Sequence, residues 1–251
     1  MTPDLLVIGH RGSAGTAPEN TLPSFQAAAD SGADMIELDV RLTADNVLVV
    51  HHDMSLRRTT GLRRRIRDLA ADEITGLDAG TRFSRRYRGT KVPDLGGVLA
   101  WRPARLGVNI EVKTHRDPRG PSAYVKPLLG LVDRLPPGKV LVSSFDDLFL
   151  GLLHRAAPRV QLGCLFMPAR DRARGVAALA RSTGARVFIC SASQGRPALV
   201  RTAQSAGLEV YIYRINTVRL ARRFQALGVN GIITDVPARM RQSLNRTGRS
   251  T

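Results

Sequence analysis

Short apolar, β-branched runs return along the chain at residues 5–8, 35–40, 108–112, 140–142, 160–166, 187–190, 210–213 and 231–233. Segments of helical periodicity lie between many of them, at 24–29, 124–132, 148–156, 173–180, 198–206 and 218–227. Parallel strands need a crossover of a dozen or more residues, usually a helix, so this alternation predicts βα units around a parallel sheet. Eight such strands in 251 residues predict an α/β fold, a (β/α)8 TIM barrel, with 1–251 as one domain. A doubly wound open sheet is the runner-up.

One run breaks the alternation. Residues 47–50 follow Val40 after only the stretch Arg41 to Asn46, too short for a crossover. The spacing predicts a hairpin turned by Thr43-Ala44-Asp45-Asn46, a small insertion that brings His51-His52-Asp53 back to the barrel top. The arginine-rich stretch from Leu56 to Arg88 is expected to pass over the same face before a helix near 95–101. A polar, basic tail from about Gln242 is expected to fray.

In "MIELDV", Glu37 and Asp39 are two residues apart and share one strand face, while Ile36, Leu38 and Val40 share the other. The apolar face suits the surrounding helices, so the carboxylates point inward near the C-terminal mouth. In "GVNIEVK", Asn109, Glu111 and Lys113 repeat the pattern. Buried carboxylates this close repel unless a cation lies between them, and a hard divalent cation with oxygen ligands is the natural one. Glu37, Asp39 and Glu111 are the expected metal ligands. Salt-bridged acids without a metal are the plainer alternative, with Lys113 as a partner of Glu111.

His10 and Arg11 end the first apolar run between Gly9 and Gly12, and His52 arrives on the hairpin. Two histidines in one mouth make a general acid and a general base. Arg11 and Lys113, with a divalent cation, suit a phosphate diester whose oxygens gain negative charge during displacement. His51 is expected to turn away as a structural residue. Glu19 and Asn20 either frame the metal site or cap the first helix. Gly9 and Gly12 mark close backbone approach to a phosphate or an unusual backbone conformation.

The stretches "GHRGSAGTAPENTLPSF", "GADMIELDVRLTADNVLVVHHDMSLRRTT", "LGVNIEVK", "VSSF" and "GVNGIITDVP" resemble the glycerophosphodiester phosphodiesterase family, from residue 9 to residue 237. The resemblance implies a TIM barrel that hydrolyses glycerophosphodiesters to sn-glycerol 3-phosphate and an alcohol, using Mg2+ or Ca2+. Position by position, it implies His10 and His52 as the catalytic pair. It implies Glu37, Asp39 and Glu111 as metal ligands, with Arg11 and Lys113 on the phosphate. The chain departs from the family pattern at Tyr213-Arg214-Ile215-Asn216 and at Asp94, near the rim where the alcohol group would be selected.

The net charge of +17 comes almost wholly from arginine. Such charge attracts polyanions, or it reflects an arginine-rich composition spread over the surface, and the second reading is favoured. Aromatic residues, at 5%, are too sparse for a single-strand stacking platform, and no specific nucleic-acid partner is expected. Peripheral contact with an anionic membrane surface is retained. A nucleic-acid-binding protein on a vestigial barrel is a rival supported by charge alone. A lysophospholipase D-type activity at the same site is the nearer alternative, and would need an apolar groove at the mouth. No apolar run of membrane-spanning length or secretory signal is read, so a cytoplasmic location is expected. Cys164 and Cys190 lie in apolar runs and are expected to be buried thiols.

Overall fold

The structure, a computed structural model, describes residues 5–245 apart from 134, 137, 172 and 173. Nine strands form one sheet: β1 (Leu6–Gly9), β2 (Met35–Leu42), β3 (Leu48–Val50), β4 (Gly107–Val112), β5 (Val140–Ser144), β6 (Gln161–Leu165), β7 (Val187–Ser191), β8 (Glu209–Tyr213) and β9 (Gly231–Thr234). Eight are parallel and close into a barrel, because β1 pairs with β2 on one side and with β9 on the other. The open-sheet alternative is thereby excluded.

β3 is the exception, and it pairs antiparallel with β2 at Val40↔Val50 and Leu42↔Leu48. The turn between them forms as its residues predict. Asn46 takes a left-handed φ of 62°, and Thr43 Oγ1 accepts the Val47 amide at 2.9 Å.

Alternation along the strands sorts the side chains into two cores. Ile36, Leu38, Val40, Val108, Ile110 and Val112 point outward and are buried against the helices. Ile8, Leu141, Leu165, Val187, Ile189, Tyr211 and Ile233 fill the barrel interior. Outer helices follow the strands at Leu22–Asp30, Leu95–Trp101, Val125–Val132, Asp147–Ala156, Val176–Thr183, Pro197–Ser205, Val218–Ala226 and Pro237–Asn245. Asp94, Asp146 and Thr217 cap three of them by accepting an amide hydrogen of the first turn.

The stretch after β3 builds its own small core from Val49, Leu56, Ile66, Leu69, Ile74 and Val92, with short helices between. The last helix corrects the expected tail. Residues 242–245 continue Pro237–Asn245, anchored by fully buried Met240, and the rest of the tail lies outside the described residues. Both cysteines are buried free thiols, and burial pushes each up to about 12. Among the described residues no helix is long and apolar enough to cross a membrane.

Candidate active site

The C-terminal ends of β1, β2 and β4 lie side by side, with Ile8 opposite Met35 and Asp39 opposite Glu111. Glu37 and Asp39 on β2 and Glu111 on β4 therefore meet inside the barrel, each offering an oxygen within 4.8 Å of the others. Glu37 Oε2 accepts the Arg11 amide at 2.9 Å, while Oε1 is buried with no hydrogen-bond partner among the described residues. Burial, and then the charges of Asp39 and Glu111, push the Glu37 carboxyl well above the usual carboxylate range. Burial also works against ionised Asp39, but the charges of Lys113 and Arg11 outweigh it and hold this carboxyl well below that range. An oxygen-only cluster with one orphaned buried oxygen is the donor set a hard divalent cation takes.

Arg11 and Lys113 both lie at this cluster, engaged by acids. Lys113 Nζ bridges Asp39 Oδ1, at 3.0 Å, and Glu111 Oε1. Arg11 pairs with Glu19 at 2.8 Å and with Asp39 at 3.2 Å. Glu19 and Asn20 frame the site. Asn20 Nδ2 donates to Asp39 Oδ2 at 2.8 Å, Glu19 also accepts from Arg58, and the helix that follows has no side-chain cap.

The two histidines are braced alike. His10 Nδ1 donates to Asp235 Oδ1 at 2.6 Å, and His52 Nδ1 donates to Asp53 Oδ1 at 2.7 Å. A carboxylate on Nδ1 selects the tautomer whose Nε2 is left for other chemistry. Each carboxylate is itself held, Asp235 by Asn216 Nδ2 at 2.6 Å and Asp53 by Arg58 Nε at 2.7 Å. Burial opposes ionised Asp235, but hydrogen bonds from His10 and Asn216 outweigh it and lower its pKa. His51 turns away as expected, donating from Nδ1 to the Asp53 carbonyl and accepting Thr59 Oγ1 at Nε2.

His10, Arg11, Glu37, His52, Glu111 and Lys113 line one cavity of about 220 Å³, with Asp39 buried at the same cluster. Phe145, Leu165, Ile189 and Ile233 form its apolar side. All seven residues singled out in the sequence are thus brought together. Asp235 and Asn216 were not singled out as site residues. A polar residue immediately after a barrel strand, as Asp235 follows β9, is the signal that would have found the first.

Of the two readings of the glycines, the unusual backbone conformation holds at Gly12. Gly12 has φ 85°, and a Cβ there would meet the Ser24 backbone at 2.5 Å; one on Gly9 would meet the Gly12 carbonyl at 2.5 Å. They let the His10–Arg11 turn fold tightly against the first helix.

The model of the Glycerophosphoryl diester phosphodiesterase family matches residues 10–239. The chain belongs to this family. A glycerophosphodiester phosphodiesterase of Caldanaerobacter subterraneus subsp. tengcongensis is 32% identical, over 92% of this chain and 94% of its own. The crystal structure of a glycerophosphodiester phosphodiesterase from Agrobacterium tumefaciens str. C58 shares 32% identity and a TM-score of 0.77, covering 95% of this chain and 99% of that one. An Oleispira antarctica phosphodiesterase, solved with the product sn-glycerol-3-phosphate, superposes with a TM-score of 0.87 at 26% identity, covering 96% of each chain. As a member of the glycerophosphoryl diester phosphodiesterase family, the chain is an enzyme, a phosphoric diester hydrolase.

Proposed function

We propose that the protein hydrolyses glycerophosphodiesters to sn-glycerol 3-phosphate and an alcohol, in a reaction dependent on Mg2+ or Ca2+. The observation that carries the reading is the pair of histidines, each braced through Nδ1 by an aspartate, at one cavity with three clustered carboxylates. The Oleispira antarctica phosphodiesterase, with sn-glycerol-3-phosphate bound, supports the choice of substrate. Glu37, Asp39 and Glu111 would hold the cation, which when bound supplies positive charge against the phosphate oxygens. Arg11 and Lys113 border the same cavity and add positive charge where the phosphate would lie. One histidine, through Nε2, takes the proton of the attacking hydroxyl, which belongs to water or to the neighbouring glycerol carbon; in the second case a cyclic phosphate forms first and a water then opens it to glycerol 3-phosphate. The other gives a proton to the departing alkoxide, so the alcohol leaves neutral. The basic excursion would dock this mouth at anionic membrane surfaces, read by co-sedimentation with anionic vesicles.

The test is turnover of glycerophosphocholine with Mg2+ or Ca2+, and again after chelation. Release of choline and glycerol 3-phosphate that is lost on chelation and restored by metal is the expected result. Choline release from lysophosphatidylcholine alone would replace this reading with the lysophospholipase D-type one. Turnover indifferent to chelation would remove the metal from it.

A further inference from the structure

A second cavity, of about 170 Å³, lies on the other side of the backbone that carries His52 and Lys113. Its cations are Arg41, Arg65, Arg67 and Arg116, and His115 lines it too. Leu42, Met54 and Ile66 supply an apolar floor. The two cavities share their backbone: Arg41 Nε donates to the His52 carbonyl at 2.8 Å, and its Nη1 to the Lys113 carbonyl at 3.3 Å. Arg41 also lies two residues beyond Asp39 on β2, so the inward row Glu37, Asp39, Arg41 runs from one cavity toward the other.

The cations here differ from those of the first cavity in what holds them. Arg11 and Lys113 are matched by carboxylates. Arg41 is largely buried, yet among the described residues no carboxylate lies within 4.0 Å of it, and its hydrogen bonds go to neutral carbonyls. Arg65, His115 and Arg116 are exposed, and their side chains make no hydrogen bond or ion pair among the described residues. Arg67 is the exception: it pairs with Asp68 at 3.6 Å and donates to the Arg116 carbonyl at 2.8 Å, which ties the two walls together. The acid of this cavity, Asp117, is already spent on Arg119 at 2.7 Å and Tyr124 at 2.8 Å. Three guanidinium groups lining one cavity without a carboxylate of their own, those of Arg41, Arg65 and Arg116, suit recognition of an anion. Its position beside the phosphate end of the first cavity says which anion would reach it.

We infer that this cavity binds the alcohol half of a glycerophosphodiester whose alcohol carries a second acidic group, a phosphate or a carboxylate on a short carbon chain. The inference rests on the diester-hydrolase reading of the neighbouring cavity. The apolar floor takes the carbon chain, and the guanidinium groups take the acid.

The experiment compares glycerophosphoglycerol with the same diester phosphorylated on its terminal hydroxyl, in the wild type and in an Arg65→Gln/Arg116→Asn double variant. Both side chains are exposed, and asparagine suits the φ of 60° at Arg116. The double variant should lose roughly tenfold in kcat/KM on the phosphorylated diester and stay within about twofold on the neutral one. The loss should shrink as salt is raised. Equal losses on both substrates, or none on either, would overturn the inference while leaving the hydrolase reading intact. If neither diester is turned over, the hydrolase reading falls and calorimetric titration with inorganic phosphate decides the cavity. A binding heat present in the wild type and lost in the double variant supports an anion site, and identical isotherms overturn it.

Discussion

Inside the barrel, β2 and β4 send Glu37, Asp39, Asn109 and Glu111 inward, whereas β6, β7 and β9 send Leu165, Val187, Ile189 and Ile233. Both halves are built by the same alternation, and both are closely buried. They differ in what burial does to them. In the apolar half, removal from water is itself stabilising, at about 25 cal/mol per Å². In the polar half it opposes each charge, and the carboxylates are tolerable only because Lys113, Arg11 and Asn20 reach them. On the proposed function the polar half would carry the chemistry at the expense of stability, while the apolar half supplies the stability and the dry wall beside it.

Glu37 is where this contrast can be broken most sharply. Glu37→Gln keeps the shape and removes one of three mutually repelling acids, so turnover should fall by about 10³-fold, the scale of a lost metal ligand or oxyanion stabiliser. Stability without metal should hold or rise. The folded state raises this carboxyl's pKa, so at pH values above the ordinary carboxylate range the wild type progressively loses the stability that the neutral form had provided. The variant should lack that decline. Parallel urea melts across pH, with and without metal, read it directly. A destabilised variant in the absence of metal would show that the acids are structural partners rather than a strained ligand set.

Leu141, inside the barrel on β5 and 1% exposed, tests the other half. Leu141→Ala should cost about 3 kcal/mol in denaturant unfolding while kcat stays within a few-fold. A collapse of kcat in the folded variant would mean that the two halves are not separable in this way.

Asp235→Asn asks how far the polar half extends. It keeps the geometry but removes the carboxylate that fixes His10, so a fall of roughly 10–100-fold in kcat is expected, with a changed pH profile. An unchanged profile would detach His10 from the chemistry. The smallest effect is at His51, whose buried ring has a lowered pKa, with desolvation as the main cause. The unfolded chain protonates this ring near pH 6.5 and the folded one does not, so its contribution to stability is complete above that pH and falls as the pH drops below it. His51→Gln should flatten that part of the stability–pH curve.

Much of the polar half could be read from spacing. Period two put Glu37 with Asp39 and Glu111 with Lys113, and the six-residue link after Val40 forced the hairpin that returns His52. What was illegible is pairing across the closure of the barrel. Asp235 meets His10 from 225 residues away, and no local pattern encodes that meeting. The pairing of Lys113 with Glu111 was legible as two residues on one strand face, but the reach of Lys113 and Arg11 to Asp39 was not, since sequence shows that two side chains share a region but not which oxygen each one takes. The final helix escaped notice because its arginine-rich run buries little beyond Met240, too thin an apolar stripe to mark a helix.

The central claim is that the two braced histidines move the protons of phosphodiester hydrolysis. The most direct measurement is metal-supported turnover of glycerophosphocholine by the wild type and by His10→Ala, with folding checked by a urea melt of each. The account predicts a kcat lower by about 10²–10⁴-fold in a variant that remains folded. Equal rates in the two proteins would contradict it.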